Sequence, residues 1–148
     1  MSDPDTHSLE QAALRLLGAR EHTRRELRRK LNSRATDSGQ LEQLLDALAA
    51  RGAQSDRRYT QSYIASRRRR GFGPVRIRLE LRERGVAAAL VEESLDPDDA
   101  RWDQVLVETA KAKFGGNPPQ GFADWAKRAR FLEYRGFSPD AIRRLITE

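Results

Sequence analysis

VRIRLELRER, residues 75–84, decides the fold. Val75, Ile77, Leu79 and Leu81 alternate with charged side chains, and taken alone that period of two is a strand pattern. Its surroundings argue the other way. Gly73 and Pro74 stand at the N-cap and first helical positions, and Arg76 with Glu80 and Glu80 with Arg84 make i, i+4 pairs. Ile77 and Leu81 also follow Gly73 at the spacing at which Leu27 and Leu31 follow Thr23. No second strand is available to pair with the stretch, and a lone strand is not stable in water. It is predicted to be a helix, and the chain all-α.

Composition agrees. Leu, Ala, Arg and Glu are abundant, aromatic residues make up 7% and β-branched residues are few, which favours helix by intrinsic propensity. With 38% apolar and 34% charged residues the core is lean, and an elongated molecule is expected. The absence of Cys excludes a disulfide framework and a thiolate metal site, and it suits a reducing compartment. No run approaches the roughly 18 apolar residues of a membrane span, so the chain reads as a cytosolic protein with no membrane partner.

Working outward from residues 75–84, the punctuation divides the chain into units. Ser8 caps a first helix carrying Ala12, Ala13, Leu16 and Leu17, after a disordered start over residues 1–8. Thr23 with Glu26 is a capping box for a second helix, and a third, residues 40–51, buries Leu41, Leu44, Leu45 and Leu48 and stops at Gly52. Ser55 or Asp56 opens the next set, with Tyr59, Tyr63 and Ile64 inward; residues 74–85 follow, then a short helix carrying Val86, Leu90, Val91 and Leu95. The remainder gives a helix over 99–114, the loop GGNPPQ, a helix over 122–135, and a last helix that starts at Ser138 and Pro139. Gly85, Val86, Leu90 and Val91 recur 51 residues later as Gly136, Phe137, Ala141 and Ile142, and Leu81 as Leu132. A period near 50 in degenerate copies predicts a tandem array of three-helix units over 9–54, 55–97 and 98–148.

Charge singles out one segment. Residues 57–85 hold ten Arg against Glu80 and Glu83, a net charge of +8, whereas the whole chain carries +6. Such a guanidinium surface, interleaved with aromatic rings, is what a polyanion selects. Arg67, Arg68, Arg69, Arg70, Arg78 and Arg82 are expected to be freest for phosphates, because Glu80 engages Arg76 and Arg84. Phe72, between two glycines, is the aromatic expected to be exposed, and Arg130, Arg135, Arg143 and Arg144 extend a weaker basic edge. Catalytic chemistry has little to work with: His7 and His22 are the only histidines, and no nucleotide-binding glycine loop is present. His22 is expected in a solvated turn. The acidic group Asp96, Asp98, Asp99 and Asp103 lacks the glycine and distal Glu of a calcium loop and is assigned to a helix start. No cofactor, metal or enzymatic activity is expected.

REHTRRELRRKL (20–31), DRRYTQSYIASRRRRGFGPVRIRLELRERGV (56–86) and RARFLEYRGFSPDAIRRLI (128–146) together resemble the RecX family, bacterial regulators of the RecA recombinase. The resemblance implies three tandem three-helix repeats in an elongated, curved right-handed array. It also implies a non-catalytic protein that lies in the groove of the RecA filament on single-stranded DNA. There it limits recombinase, ATPase and co-protease activities in DNA repair and the SOS response. The partners implied are the RecA nucleoprotein filament and single-stranded and double-stranded DNA. Two departures are the insertion GGNPPQ in the third unit and Arg128 where the second unit has Ile77. A stand-alone helical DNA-binding protein is the competing reading, but the Arg-only pattern fits phosphate contact better than base-edge readout. Short units of this kind favour an extended monomer.

Overall fold

The structure is a computed structural model that describes residues 4–147. Nine α-helices and one 3-10 turn, with no strand, make up the regular structure of the described residues. They are α1 (Pro4–Ala19), α2 (Arg24–Leu31), the 3-10 turn (Asn32–Arg34), α3 (Ser38–Ala50), α4 (Asp56–Arg69), α5 (Pro74–Glu83), α6 (Ala88–Ser94), α7 (Arg101–Phe114), α8 (Gly121–Arg135) and α9 (Pro139–Leu145). The alternating stretch is helical, as α5. Its apolar residues divide between two faces: Ile77 and Leu81 are fully buried, whereas Val75 and Leu79 are exposed. That division is why a helix can carry a strand-like pattern.

Helix α1 starts four residues ahead of the expected Ser8 cap. The hydroxyl of Thr6 accepts a hydrogen bond from Gln40 Nε2 on α3, and Glu10 pairs with Arg51 at 3.0 Å, so the early turns are tied to the third helix. Only residues 1–3 of the expected disordered start lie outside the described residues.

Each helix packs chiefly on the helices of its own set of three, which leaves three cores in series. Leu9, Ala13, Leu27, Leu31, Leu45 and Leu48 centre the first; Ile64, Ile77, Leu81 and Val91 the second; Leu106, Leu132, Phe137 and Ile142 the third. Trp102, on α7, packs into the second core and so ties the third set to it. The accessible surface, 9117 Å², exceeds the roughly 7,700 Å² expected for a compact monomer of this mass. The excess fits an all-α repeat array laid out in a row.

The joints between units repeat. The capping box at the start of α2 is formed, with Thr23 accepting from Glu26 N at 3.1 Å, and the Thr23 hydroxyl also reaches the carbonyl of Arg84 at the end of α5, 3.0 Å away. At the next joint the start of α5 meets the end of α8: Gly73 N donates to Arg135 O at 2.8 Å and Val75 N to Gly136 O at 2.9 Å. The second helices of the three units thus run end to end. Gly85 and Gly136 close the receiving ends with φ of +90° and +104°, and each lies against an arginine one unit back, Arg25 and Arg76. A Cβ on Gly136 would stand 2.4 Å from Arg76 Cβ. Glycine is needed at both positions for its left-handed backbone and its missing side chain.

His22, expected in a solvated turn, is 1% exposed beside the first joint. Its Nδ1 meets Arg20 O at 3.0 Å and its Nε2 meets Lys30 Nζ at 3.1 Å. A carbonyl only accepts and an ammonium only donates, so the ring is neutral with its proton on Nδ1. Burial is the main cause that draws its pKa below the usual value, and the positive Arg20 and Lys30 add to it. Arg128, in the place of Ile77, keeps its charge satisfied by Asp124 Oδ2 at 3.2 Å and Asn117 O at 2.9 Å, and in doing so holds the GGNPPQ loop.

Candidate nucleic-acid interface

Two clefts of one design follow from the repeated joints. In each, one wall is the first helix of a unit with the end of its second helix, and the other wall comes from the unit before. The first cleft, about 640 Å³, sets Tyr59, Ser62, Tyr63 and Ser66 of α4 against α2. The second, about 810 Å³, sets Val105, Glu108, Thr109 and Ala112 of α7 against the end of α4. Their charges differ. Four Arg and three Glu line the first, whereas five Arg and Lys113 face the single carboxylate of Glu108 in the second.

The basic wall of the second cleft begins at the C-terminus of α4, where the helix dipole favours cations. Arg69 and Arg70 are exposed there, and neither guanidinium has a partner among the described residues. The Arg68 guanidinium lies 4.6 Å from the Trp102 ring centroid, and its buried Nε has no hydrogen-bond partner. Burial and, after it, the charge of Arg101 lower the Arg68 pKa from its ordinary value. Arg135 donates to Arg70 O at 2.9 Å, and its guanidinium stands 4.7 Å from the Phe72 ring and 5.2 Å from the Phe131 ring. Across the cleft, Arg101 holds Asp99 in a two-pronged pair at 3.0 and 2.7 Å; these bonds depress the Asp99 carboxyl to about 2. Lys113 sits 5.5 Å from the Phe131 ring. The result is a concave surface that attracts anions and offers guanidinium forks for phosphate oxygens.

The structure thus brings Arg68, Arg69, Arg70 and Arg135 together and sends other candidates elsewhere. Arg67 is not free: it donates to both oxygens of Glu80 at 3.0 and 2.8 Å, and its side chain is 16% exposed. Phe72 is half-buried rather than exposed, a plug against the second core beneath the guanidinium groups of Arg67, Arg76 and Arg135. With Glu80 taken by Arg67, Arg84 turns to the Glu80 main-chain oxygen at 3.2 Å and to the Tyr63 ring, instead of forming the expected carboxylate pair. Arg78 faces Glu92 at 3.1 Å. Arg82 and Arg130 are exposed on α5 and α8, outside the cleft lining. Arg143 and Arg144, on α9, are held by Asp140 at 2.5 Å and by both oxygens of Asp103 at 2.9 Å. Arg101 and Lys113 were not singled out in the sequence because residues 86–123 carry a net charge of −4. The i, i+12 spacing that sets them along one helix beside the Arg run was the available signal.

Three helical units joined end to end, with a basic cleft at the second joint, define a helical-repeat protein. The chain belongs to the RecX family: it matches the first, second and third three-helix domains of RecX over residues 11–48, 55–95 and 102–146. It is 41% identical over 140 residues to a regulatory protein RecX of Pseudomonas fluorescens, covering 95% of this chain and 90% of that one. To a regulatory protein RecX of Halorhodospira halophila it is 40% identical over 138 residues, covering 93% and 86%. The crystal structure of RecX from Lactobacillus salivarius shares the fold, with a TM-score of 0.84 at 24% identity over 96% of this chain and 94% of that one. A second crystal structure, of a regulatory protein RecX, matches with a TM-score of 0.77 at 21% identity over 95% and 72%. The relatives' common name assigns the family a regulatory role.

Proposed function

We propose that this chain is a non-enzymatic cytoplasmic regulator that binds the RecA filament on single-stranded DNA. It acts as a monomer and limits the filament's recombinase, ATPase and co-protease activities in DNA repair and the SOS response. The observation that carries this reading is the second cleft, where the unpartnered guanidinium groups of Arg69 and Arg70 stand with Arg68, Arg101, Arg135 and Lys113 against one carboxylate. Guanidinium groups arrayed without Asn or Gln position a phosphate backbone and carry no base code, which is what a regulator of a sequence-indifferent filament requires. No helix among the described residues is long and apolar enough to cross a membrane.

The test is DNA-dependent ATP hydrolysis by the cognate recombinase with increasing amounts of this protein. A falling rate is expected, with an Arg69→Ala, Arg70→Ala variant displaced to higher concentration. A rate indifferent to the protein at saturating binding would contradict the proposal.

A further inference from the structure

The two clefts have a third counterpart at the first unit. On α4 the cleft wall is Tyr59, Ser62, Tyr63 and Ser66, and on α7 it is the residues 46 positions on. The residues 47 positions before those of α4 are Ala12, Arg15, Leu16 and Ala19, and they line a groove of about 330 Å³ between α1 and the end of α2. Arg34 closes it as Arg84 and Arg135 close the other two. In the two internal clefts the preceding unit supplies the facing wall; this groove has no facing wall among the described residues.

Its chemistry also differs. The floor is alkyl, from Ala12, Leu16 and Leu31, where the first cleft has tyrosine and serine. Its rim is Arg15, Lys30 and Arg34, all exposed, with no carboxylate in the lining. Neither Arg15 nor Arg34 has a partner among the described residues, and Lys30 reaches only His22.

We infer that this groove docks a segment of a second protein in which apolar side chains are flanked by carboxylates. It is the repeat's own docking position, with an alkyl floor for the apolar side chains and a cationic rim for the acids. A flat polyanion fits poorly, because apolar floor surface would be covered without apolar contact. A second copy docked as the units dock to one another does not fit either. The receiving ends of the later units use Gly85 and Gly136 at positive φ, whereas the first unit has Ala35 there, at φ −84°, after a 3-10 turn. The surface is separate from the second cleft, so the inference does not rest on the proposed function.

The experiment uses the full chain and, as probe, a fluorescein-labelled helical peptide of Glu, Ala and Leu with its leucines on one face. Its controls are the same peptide with Lys for Glu and a single-stranded oligonucleotide. The acidic peptide is expected to bind saturably and the basic one not at all. Arg15→Ala with Arg34→Ala should weaken the peptide about tenfold, the effect of two exposed ion pairs lost together. Ala19→Trp, at an exposed position that fills the groove, should abolish peptide binding, while both variants keep the oligonucleotide affinity of the parent. Arg69→Ala with Arg70→Ala should do the reverse. Peptide affinity unchanged in both groove variants, full competition by the oligonucleotide, or head-to-tail association of the chain that depends on Arg15 and Arg34 would each overturn the inference.

Discussion

The first and second joints share a backbone plan and differ in what they display. Both set the start of one second helix on the glycine-closed end of the next, and both open a cleft beside that contact. At the first, Arg20 is held by Glu26 at 2.7 Å, the Arg58 guanidinium by Glu21, and the lining charges nearly balance. At the second, Arg101 alone has a carboxylate partner, Asp99, and the Arg69 and Arg70 guanidinium groups have no partner of any kind among the described residues. The repeat therefore supplies geometry, and charge placement sets one of two similar clefts apart. The joints also differ mechanically: a side-chain hydroxyl closes the first, and two main-chain hydrogen bonds close the second.

That mechanical contrast can be broken. The largest effect is expected inside the units that meet at the second joint. Leu81→Ala and Leu132→Ala remove fully buried side chains, and each should cost about 2 to 5 kcal/mol in denaturant unfolding. Melting indistinguishable from the parent would show that these positions do not carry their cores. Gly136→Ala should come next, at about 2 to 4 kcal/mol, because it adds left-handed strain to a Cβ pressed on Arg76 and near the Gly73 carbonyl. Gly85→Ala should cost less, since its Cβ would press on Arg25 Cδ, which can swing away, and on Arg25 Cβ at 2.8 Å, whereas at Gly136 the close atoms include the Arg76 main-chain nitrogen at 2.7 Å. Equal losses at the two glycines would remove the distinction between main-chain and side-chain closure. Thr23→Ala, which deletes both the cap and the bond to Arg84 O, should cost about 1 to 2 kcal/mol.

The smallest effect is one of pH and belongs to the first joint alone. His22 is buried neutral, so its folded pKa lies below the unfolded value of 6.5. Its contribution is complete above that value and is lost as pH falls through it toward the folded pKa, because the unfolded chain then binds the extra proton. The unfolding midpoint should drop between about pH 8 and pH 5.5, and His22→Gln should flatten that slope. A parent and variant with parallel slopes would place the titration elsewhere.

Much of the fold was legible because its signals are local. The capping box at Thr23 and Glu26, the glycines 51 residues apart, and the spacing of Leu27, Leu31, Ile77 and Leu81 each depend on a few neighbouring residues. They were enough to overrule the alternation in α5. The site was only partly legible because its details depend on contacts across loops. Within the helix Arg76 keeps its pair with Glu80 at 3.7 Å, but Arg67, 13 residues back and across the GFGP turn, donates to both Glu80 oxygens and Arg84 loses the carboxylate. Phe72 looked exposed between glycines, but the same turn folds it against the second core. Arg101 and Lys113 were masked by the acids around them in sequence; in space Asp99 pairs with Arg101 and only Glu108 among those acids shares the cleft lining. His22 gave no sign of burial because its surroundings include residues distant in sequence, such as Gln54 at the end of the first unit, whose amide reaches the His22 carbonyl at 3.3 Å.

The claim that the second cleft meets a protein-coated DNA strand is tested most directly by titrating this protein against labelled single-stranded DNA, bare and RecA-coated, at two salt concentrations. Binding to bare DNA should fall steeply, with a log-log slope near −0.7 for each neutralised phosphate. Binding to the coated strand should be tighter, survive the salt that abolishes the former, and weaken in the Arg69→Ala, Arg70→Ala variant. Equal affinities with equal slopes on the two strands would contradict the proposal and make the cleft a site for naked DNA.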